Sequence, residues 1–503
     1  MNTPKTLDEI LAIGDIGDKI KYLKAGRRTP QPDTAQNRKD WEPRLHDIMD
    51  EEKYKKIKVL VSMEKTRTYE DANGVSHTSV EPAKYEMKEP NRVALPIEQD
   101  IVNIQTSFTV GIEPSINCQP DSGEEEMMLA SLKRTMKRNK LKYQNRRIVR
   151  SWLSEQEVVE YWYVVPDSGF WKRIKNKVRS FVGMKVMPAY RLSCQLWSPF
   201  LGDTIYPFFD EYGNYLACSR EYRVKDLDGK ERLCFQCATT KSVFVWEMTA
   251  DGWVQNESQT IATHNLGGCP AMYAYRPESY TAKIRPSRER LEKCLSGYAD
   301  CIDNHFFPLL MLFGDIDPDV MGGDVRNRMM QLTGEGADAR YLTWNQAADP
   351  IKVEIETYMN QCYELTNTPR ITLEQLKGIG NALSGTAFRY FFMGAHMAVA
   401  NHGEMLGEFF QRRVNFLIRA IGLLNASLAD ASETIEVETE IQPFIIDSKD
   451  DKVKTAVAAV SGGVWSTEAG VAYCNDYGEV KDELQRIEEE KPKVDDGGDS
   501  GKE

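Results

Sequence analysis

Few groups in this chain combine the residue types and spacing that chemistry needs. Lys377-Gly378-Ile379-Gly380-Asn381, followed by Ser384-Gly385, comes nearest to a phosphate-cradling loop. It lacks the Gly-Lys-Ser/Thr ending of such loops, and the segment before it reads as helix rather than strand. Cys234 and Cys237 have the spacing of half a zinc site. They fall on a predicted strand, where residues three apart face opposite sides, and no second Cys or His pair completes a ligand set. His46, His77, His264, His305, His396 and His402 show no metal spacing, and neither a Ser/His/Asp order nor a Gly-x-Ser-x-Gly elbow occurs. Carboxylates are abundant, but no pair stands apart. The sequence predicts no catalytic residue, no metal and no cofactor, and points away from an enzyme.

The elements that position the glycine loop are two helices. Asp349-Pro350 is an N-cap with proline at the first helical position. Ile351, Ile355, Tyr358, Cys362 and Leu365 then form one apolar stripe, and Pro369 ends or offsets the helix. Two glycines at 378 and 380 remove helical preference from the loop. A second helix starts near Ser384, with Phe388, Phe391, Ala395, Val399, Leu406, Phe409, Val414, Leu417 and Ile421 on one face. It would reach about 60 Å by Leu424, with a kink expected among Gly394, Gly403 and Gly407. Periodicity alone fits a simple αα-hairpin; a hairpin can also hold a loop at a defined place.

With 503 residues, 41% hydrophobic and 28% charged, the chain has a soluble globular balance and room for two to four domains. Its net charge of −12 argues against tight nucleic-acid binding overall, though an acidic protein can handle DNA that must slide past. No run of ~18 apolar residues predicts a membrane span, and polar Met1–Ile10 predicts no secretory signal. Ten scattered cysteines read as reduced and intracellular.

Thr6-Leu7-Asp8-Glu9 fits a capping box, and a helix is expected from Thr34 to Asp50. Asn73-Gly74 between alternating segments predicts a hairpin. Ile97–Gly111 and Glu124–Arg150 read as helices. The second carries Lys133, Arg134, Lys137, Arg138, Lys140, Lys142, Arg146 and Arg147, a pattern usual for a solvated face and available for a nucleic-acid or partner contact. Residues 155–275 read as an antiparallel meander, interrupted by basic Lys172–Arg191. Ser287–Phe313 reads as helix, Arg340–Thr343 and Thr434–Ile445 as strand-like, and Asp450–Val460, Ser466–Tyr473 and Lys481–Glu490 as helices. Lys491–Glu503 is expected to be disordered.

Taken in order from Asn91 to Glu490, these pieces resemble the portal, or head-to-tail connector, proteins of tailed double-stranded DNA bacteriophages, of the siphophage type. The resemblance rests on Asn91-Arg92-Val93 leading into DIVNIQTSFTVGIEP, on NKLKYQNRRIVRSWLSEQEVVEYWYVV, and on SPFLGDTIYPFFDEYGNYLACSREYRV. It continues through His264, Gly267 and Pro270, through Asn381-Ala382-Leu383-Ser384-Gly385-Thr386-Ala387, and through Ser461-Gly462-Gly463 to Glu489. It implies an α+β portal fold that closes into a ring. An N-terminal helical segment (1–52) would precede a β-rich wing (53–286). Stem helices (287–313 and 349–366) would flank a clip (314–348). A tunnel loop (367–385), a long kinked helix (386–424), a crown (425–490) and an acidic tail (491–503) would follow. The resemblance also implies a ring of about twelve at one capsid vertex, in the virion and in host cytoplasm during assembly. Its implied partners are capsid and scaffolding proteins, the terminase large subunit, a head-tail adaptor, and DNA passing without sequence specificity. Lys377, Gly378, Ile379, Gly380, Asn381 and Ser384 would face the DNA. Glu292, Asp300, Asp303, Glu354, Glu356 and Glu364 are candidates to line the channel and repel phosphate. The hairpin and the basic 172–191 stretch match nothing in the family. The competing reading is another phage head or baseplate assembly protein that does not conduct DNA.

Overall fold

The computed structural model describes residues 6–62, 65–70, 74, 76–166, 177, 179, 190–225, 228–305, 309–313, 338–342, 348–371, 391–444, 449–474 and 480–490. The chain divides into two units, Met1–Arg370 with Ala395–Pro443, and Ile371–Gly394 with Phe444–Glu503. The mixed α+β class is as expected.

In the first unit, α1 (Leu7–Ala12), α2 (Ile16–Ala25) and α3 (Thr34–Trp41) open the chain. The capping box forms: Glu9 N–H donates to Thr6 Oγ1 at 3.4 Å, and Thr6 N–H donates to Glu9 Oε2 at 3.2 Å. The helix expected to reach Asp50 stops at Trp41, because Pro43 has no N–H to continue it; two single 3-10 turns follow. The hairpin also forms: β2 (Lys65–Glu70) pairs with β3 (Ser76–Glu81), with Gly74 at φ +76°, and β1 (Ile57–Ser62) pairs with β4 (Lys84–Lys88).

Helix α4 (Ile97–Val110) and the short β5 (Ser115–Asn117) come next. The single helix expected over Glu124–Arg150 is two, α5 (Gly123–Arg138) and α6 (Leu141–Glu155). The Asn139 amide donates to the Thr135 and Leu192 carbonyls, and Lys140 turns left-handed at φ 55°. That conformation breaks the helix.

The β-rich region is two sheets rather than one meander. Strands β8 (Thr204–Phe209), β9 (Tyr215–Lys225), β10 (Glu231–Thr239), β11 (Val243–Thr249) and β12 (Gly252–Gln255) pair consecutively. Strand β6 (Glu157–Pro166) sits between β7 (Tyr190–Trp197) and β13 (Ala271–Tyr275) in a separate antiparallel sheet. Alternation gives the five-stranded sheet two apolar faces. Ile205, Cys218, Ala238 and Val243 pack with Val159, Tyr161 and Tyr273 of the second sheet. Phe208, Ala217, Phe235, Cys237 and Trp246 pack under Leu7, Ile10, Ile20 and Leu23. A Cβ on Gly26 would lie 2.1 Å from the Phe208 ring, so glycine is what lets the end of α2 approach the sheet.

Helix α7 (Arg285–His305) is shorter than the expected 287–313; Leu309–Phe313 is instead β14, paired with β15 (Asp338–Leu342). Proline at 308 and the five apolar residues after it favour a strand. Helices α8 (Ala348–Glu364) and α9 (Met393–Leu424), the short α10 (Ala429–Thr434) and β16 (Glu438–Glu440) complete this unit, β16 pairing with β5. Helix α9 continues through Gly403 and Gly407, and its expected stripe is buried from Ala395 and Val399 onward, with Leu406, Phe409, Val414, Leu417 and Ile421 in the largest core together with α4, α6 and β6.

The second unit contains α11 (Lys449–Ser461), α12 (Thr467–Cys474) and α13 (Val480–Glu490), close to their expected positions. A Cβ on Gly470 would lie 2.7 Å from Val460 Cγ2, so α12 approaches α11 at a glycine. Among the described residues no helix is long and apolar enough to cross a membrane, and no three His, Cys, Asp or Glu residues are grouped to hold a metal.

Candidate functional site

Helices α7 and α8 run antiparallel: Ser287 Oγ donates to Gln361 Oε1 at 3.2 Å, and Arg290 Nη2 to Glu354 Oε1 at 2.5 Å. Leu291 and Cys362 are buried where the pair joins the core, with Leu295, Ile355, Tyr358 and Met359 packed beside them.

A different face of α7 holds an extended stretch of chain. The backbone N–H of Asn91, Val93 and Leu95 donates to Asp300 Oδ1, Ser296 Oγ and Glu292 Oε1, each at 2.9 Å. The match is commensurate: two residues of extended chain advance about 6.6 Å, and four residues of helix about 6 Å. The Asn91 side chain adds bonds to Asp300 and, at 2.7 Å, to Asp303.

The ladder ends in a buried ionic cluster. Arg288 donates from Nε to Glu98 Oε1 at 2.9 Å, from Nη1 to Glu292 Oε2 at 3.1 Å and from Nη2 to Asp40 Oδ1 at 3.2 Å. Arg285 adds a fork onto Asp40, with Nη2 at 2.6 Å from Oδ2. His46 places Nδ1 at 2.6 Å from Glu292 Oε1 and Nε2 at 3.2 Å from the Asp40 carbonyl. Both ring nitrogens thus face acceptors. Burial pushes the Glu98 carboxyl up to about 7, against the pull of Arg288. The cluster fastens α3, α4 and the 46–49 turn to the start of α7.

Helix α4 also holds both chain ends that flank 372–390. On the exit side, Gln105 Nε2 donates to Thr368 Oγ1 at 2.8 Å, and Tyr280 Oη donates to the Thr366 carbonyl at 2.5 Å. On the return side, His402 Nδ1 lies 3.2 Å from Thr109 Oγ1, and His396 meets Phe108 edge-on at 6.1 Å. The Thr109 hydroxyl donates to the Gln105 carbonyl at 2.7 Å, so it accepts from His402.

The expected loop residues Lys377, Gly378, Ile379, Gly380, Asn381 and Ser384 lie outside the described residues. The stem carboxylates divide. Glu292, expected on a channel wall, is buried and turned into the cluster; this corrects its assignment. Asp300 and Asp303 bond Asn91, and Glu354 bonds Arg290. Glu356 and Glu364 are exposed.

A family model described as "Phage portal protein, SPP1 Gp6-like" matches residues 45–496. The chain belongs to that portal family. Portal proteins are structural proteins of the phage virion, not enzymes. Curated proteins give no match. Among solved structures, the neck of an empty gene transfer agent particle computed with C6 symmetry is similar, at 11% identity over 76% of this chain and 90% of that one, with TM-score 0.40. The neck of the native particle computed with C12 symmetry follows at 12% identity, covering 76% and 91%, with TM-score 0.39. The virion of the native particle gives 12%, 74% and 87%, with TM-score 0.36.

Reading the portal sequence for exposed carboxylates missed Asp40, His46, Glu98 and Arg288. A signal was present: Glu98, Ile101, Val102 and Gln105 share one face of α4, and Arg288, Glu292 and Ser296 recur every four residues beside Leu291 and Leu295. Polar residues that share a face with apolar ones need partners when that face is buried.

Proposed function

We propose that this chain is the subunit of a ring of about twelve copies at one capsid vertex, the channel through which the phage genome is packaged and later ejected. The family match over residues 45–496 carries this reading. In it, α7 and α8 are the stem, 314–348 the clip that receives the terminase large subunit and later a head-tail adaptor, and 53–286 the wing that meets capsid and scaffolding proteins. The segment containing Lys377–Ser384 is the tunnel loop, and its anchorage at both ends on α4 supports a loop held at a fixed radius while DNA moves. Exposed Asp303, Glu356 and Glu364 are the wall carboxylates this reading keeps foremost among the expected six, and a net charge of −12 fits a wall that repels phosphate. The contacts Lys377, Asn381 and Ser384 make with DNA would go to the backbone, without sequence information.

Electron microscopy of the purified protein, with top views classified by symmetry, tests the assembly. A cyclic ring with an open axial hole is expected; closed particles without one refute the conduit. Within a ring, Gly378→Ala with Gly380→Ala should stiffen the loop and impair packaging while assembly is kept. Loss of the ring itself would make the loop a folding element.

A further inference from the structure

The basic helices border a cavity that DNA conduction leaves without a role. It encloses about 590 Å³ between α5, α6, α9 and the β5–β16 pair. Its apolar lining is Ile116, Met136, Leu141, Phe410 and Val414, and Lys133, Lys137, Lys140 and Lys142 are exposed around it. Arg413, only 2% exposed, lines it from within. Two of its nitrogens are engaged, Nε with Glu160 Oε2 at 2.6 Å and Nη1 with Asn145 Oδ1 at 2.7 Å, but Nη2 is buried with no partner. That nitrogen is closed to solvent, so the cations a ligand reaches are the four rim lysines, with the Arg413 charge beneath them. Glu113 is the one carboxylate among the lining residues, against five cationic side chains.

The geometry points to a docking site for a carboxylate-bearing peptide segment of another protein chain, with an apolar residue beside the acid. The acid pairs with the rim lysines above Arg413, and the apolar side chain lies on Phe410 and Val414. Strand β5 pairs only with β16 among the described residues, which leaves its other edge without a strand partner that an extended segment could supply. A phosphate backbone would use the lysines and leave the apolar lining bare, so a peptide fits better than a nucleic acid.

The test uses the full chain with two terminally blocked peptides, Leu-Glu-Phe and Leu-Gln-Phe, followed by NMR or calorimetry up to about 10 mM. The acidic peptide should bind about tenfold more tightly than its glutamine counterpart. Lys133→Glu with Lys137→Glu, both on the exposed face of α5, should weaken it about tenfold without disturbing the fold, whereas Arg413→Lys also touches the core. Equal binding of the two peptides overturns the inference, as does no binding of either. Binding of a short DNA duplex that the charge reversals abolish, with no competition from the peptide, would make this a phosphate site and refute it as well.

Discussion

Helices α7 and α9 are held by opposite kinds of contact. One face of α7 meets its neighbours through Arg288, Glu292, Ser296 and Asp300, each with a directional bond. The buried face of α9 meets its neighbours through Leu406, Phe409, Val414 and Leu417, with few such bonds. Apolar seams gain from area and adjust to small shifts, whereas a buried ionic seam gains little over an apolar one of the same shape but fails when one member is removed. The α7 seam therefore sets register. It fixes which residue of 91–98 meets which turn of α7, and in the proposed portal that fixes where the stem begins.

The largest effect should come from the ionic seam. Arg288→Ala leaves Asp40, Glu98 and Glu292 without their shared cation and should cost about 3–5 kcal/mol in denaturant unfolding. Leu417→Ala in the apolar seam should cost about 3 kcal/mol through its cavity, with no dependence on pH. If Arg288→Ala costs less than Leu417→Ala, the ionic seam is not the register lock described here.

The two seams should also answer pH with opposite signs. Burial holds Glu98 at about 7 in the fold against an ordinary 4.5, so the folded chain keeps a proton that the unfolded chain has lost. Its contribution is complete below pH 4.5 and disappears as pH rises through 7; Glu98→Gln should flatten that slope, worth on the order of 2 kcal/mol. Burial, with Arg276 and Lys283 nearby, pushes His402 in α9 down to about 3 from an ordinary 6.5. The unfolded chain takes up the proton first, so the His402 contribution is present above pH 6.5 and lost as pH falls towards 3. Nε2 of His402 has no partner, and Thr109 keeps its bond to Gln105, so His402→Leu should cost little at neutral pH and remove the acid loss. Unfolding of both variants from pH 4 to 8 checks this; slopes of the same sign would break the comparison.

What could be read from the sequence follows the same division. The stripe on α9, the capping box at Thr6 and the hairpin at Gly74 are local patterns of period or turn chemistry, and each is present. The break at Lys140 was not legible, because it depends on the Asn139 amide reaching the Leu192 carbonyl across the fold. Nor was the division of the strands into two sheets, since alternation fixes faces but not neighbours. Glu292 was misplaced for a related reason: helical spacing shows that an acid lies on a stem helix, not that Arg288 and His46 await it.

The smallest effect is expected where α7 meets α8. Arg290 and Glu354 sit at 2.5 Å, but their side chains are 49% and 32% accessible, so solvent and salt screen the pair. Arg290→Ala should shift the unfolding midpoint less than any substitution above, and high salt should erase the difference. Leu291, Leu295, Ile355 and Cys362 then carry the α7–α8 seam, which makes it apolar like that of α9, on a helix whose other face is ionic. A large, salt-independent loss on Arg290→Ala would mean that both faces of α7 are polar locks, and the contrast between the two helices would extend to the whole of α7.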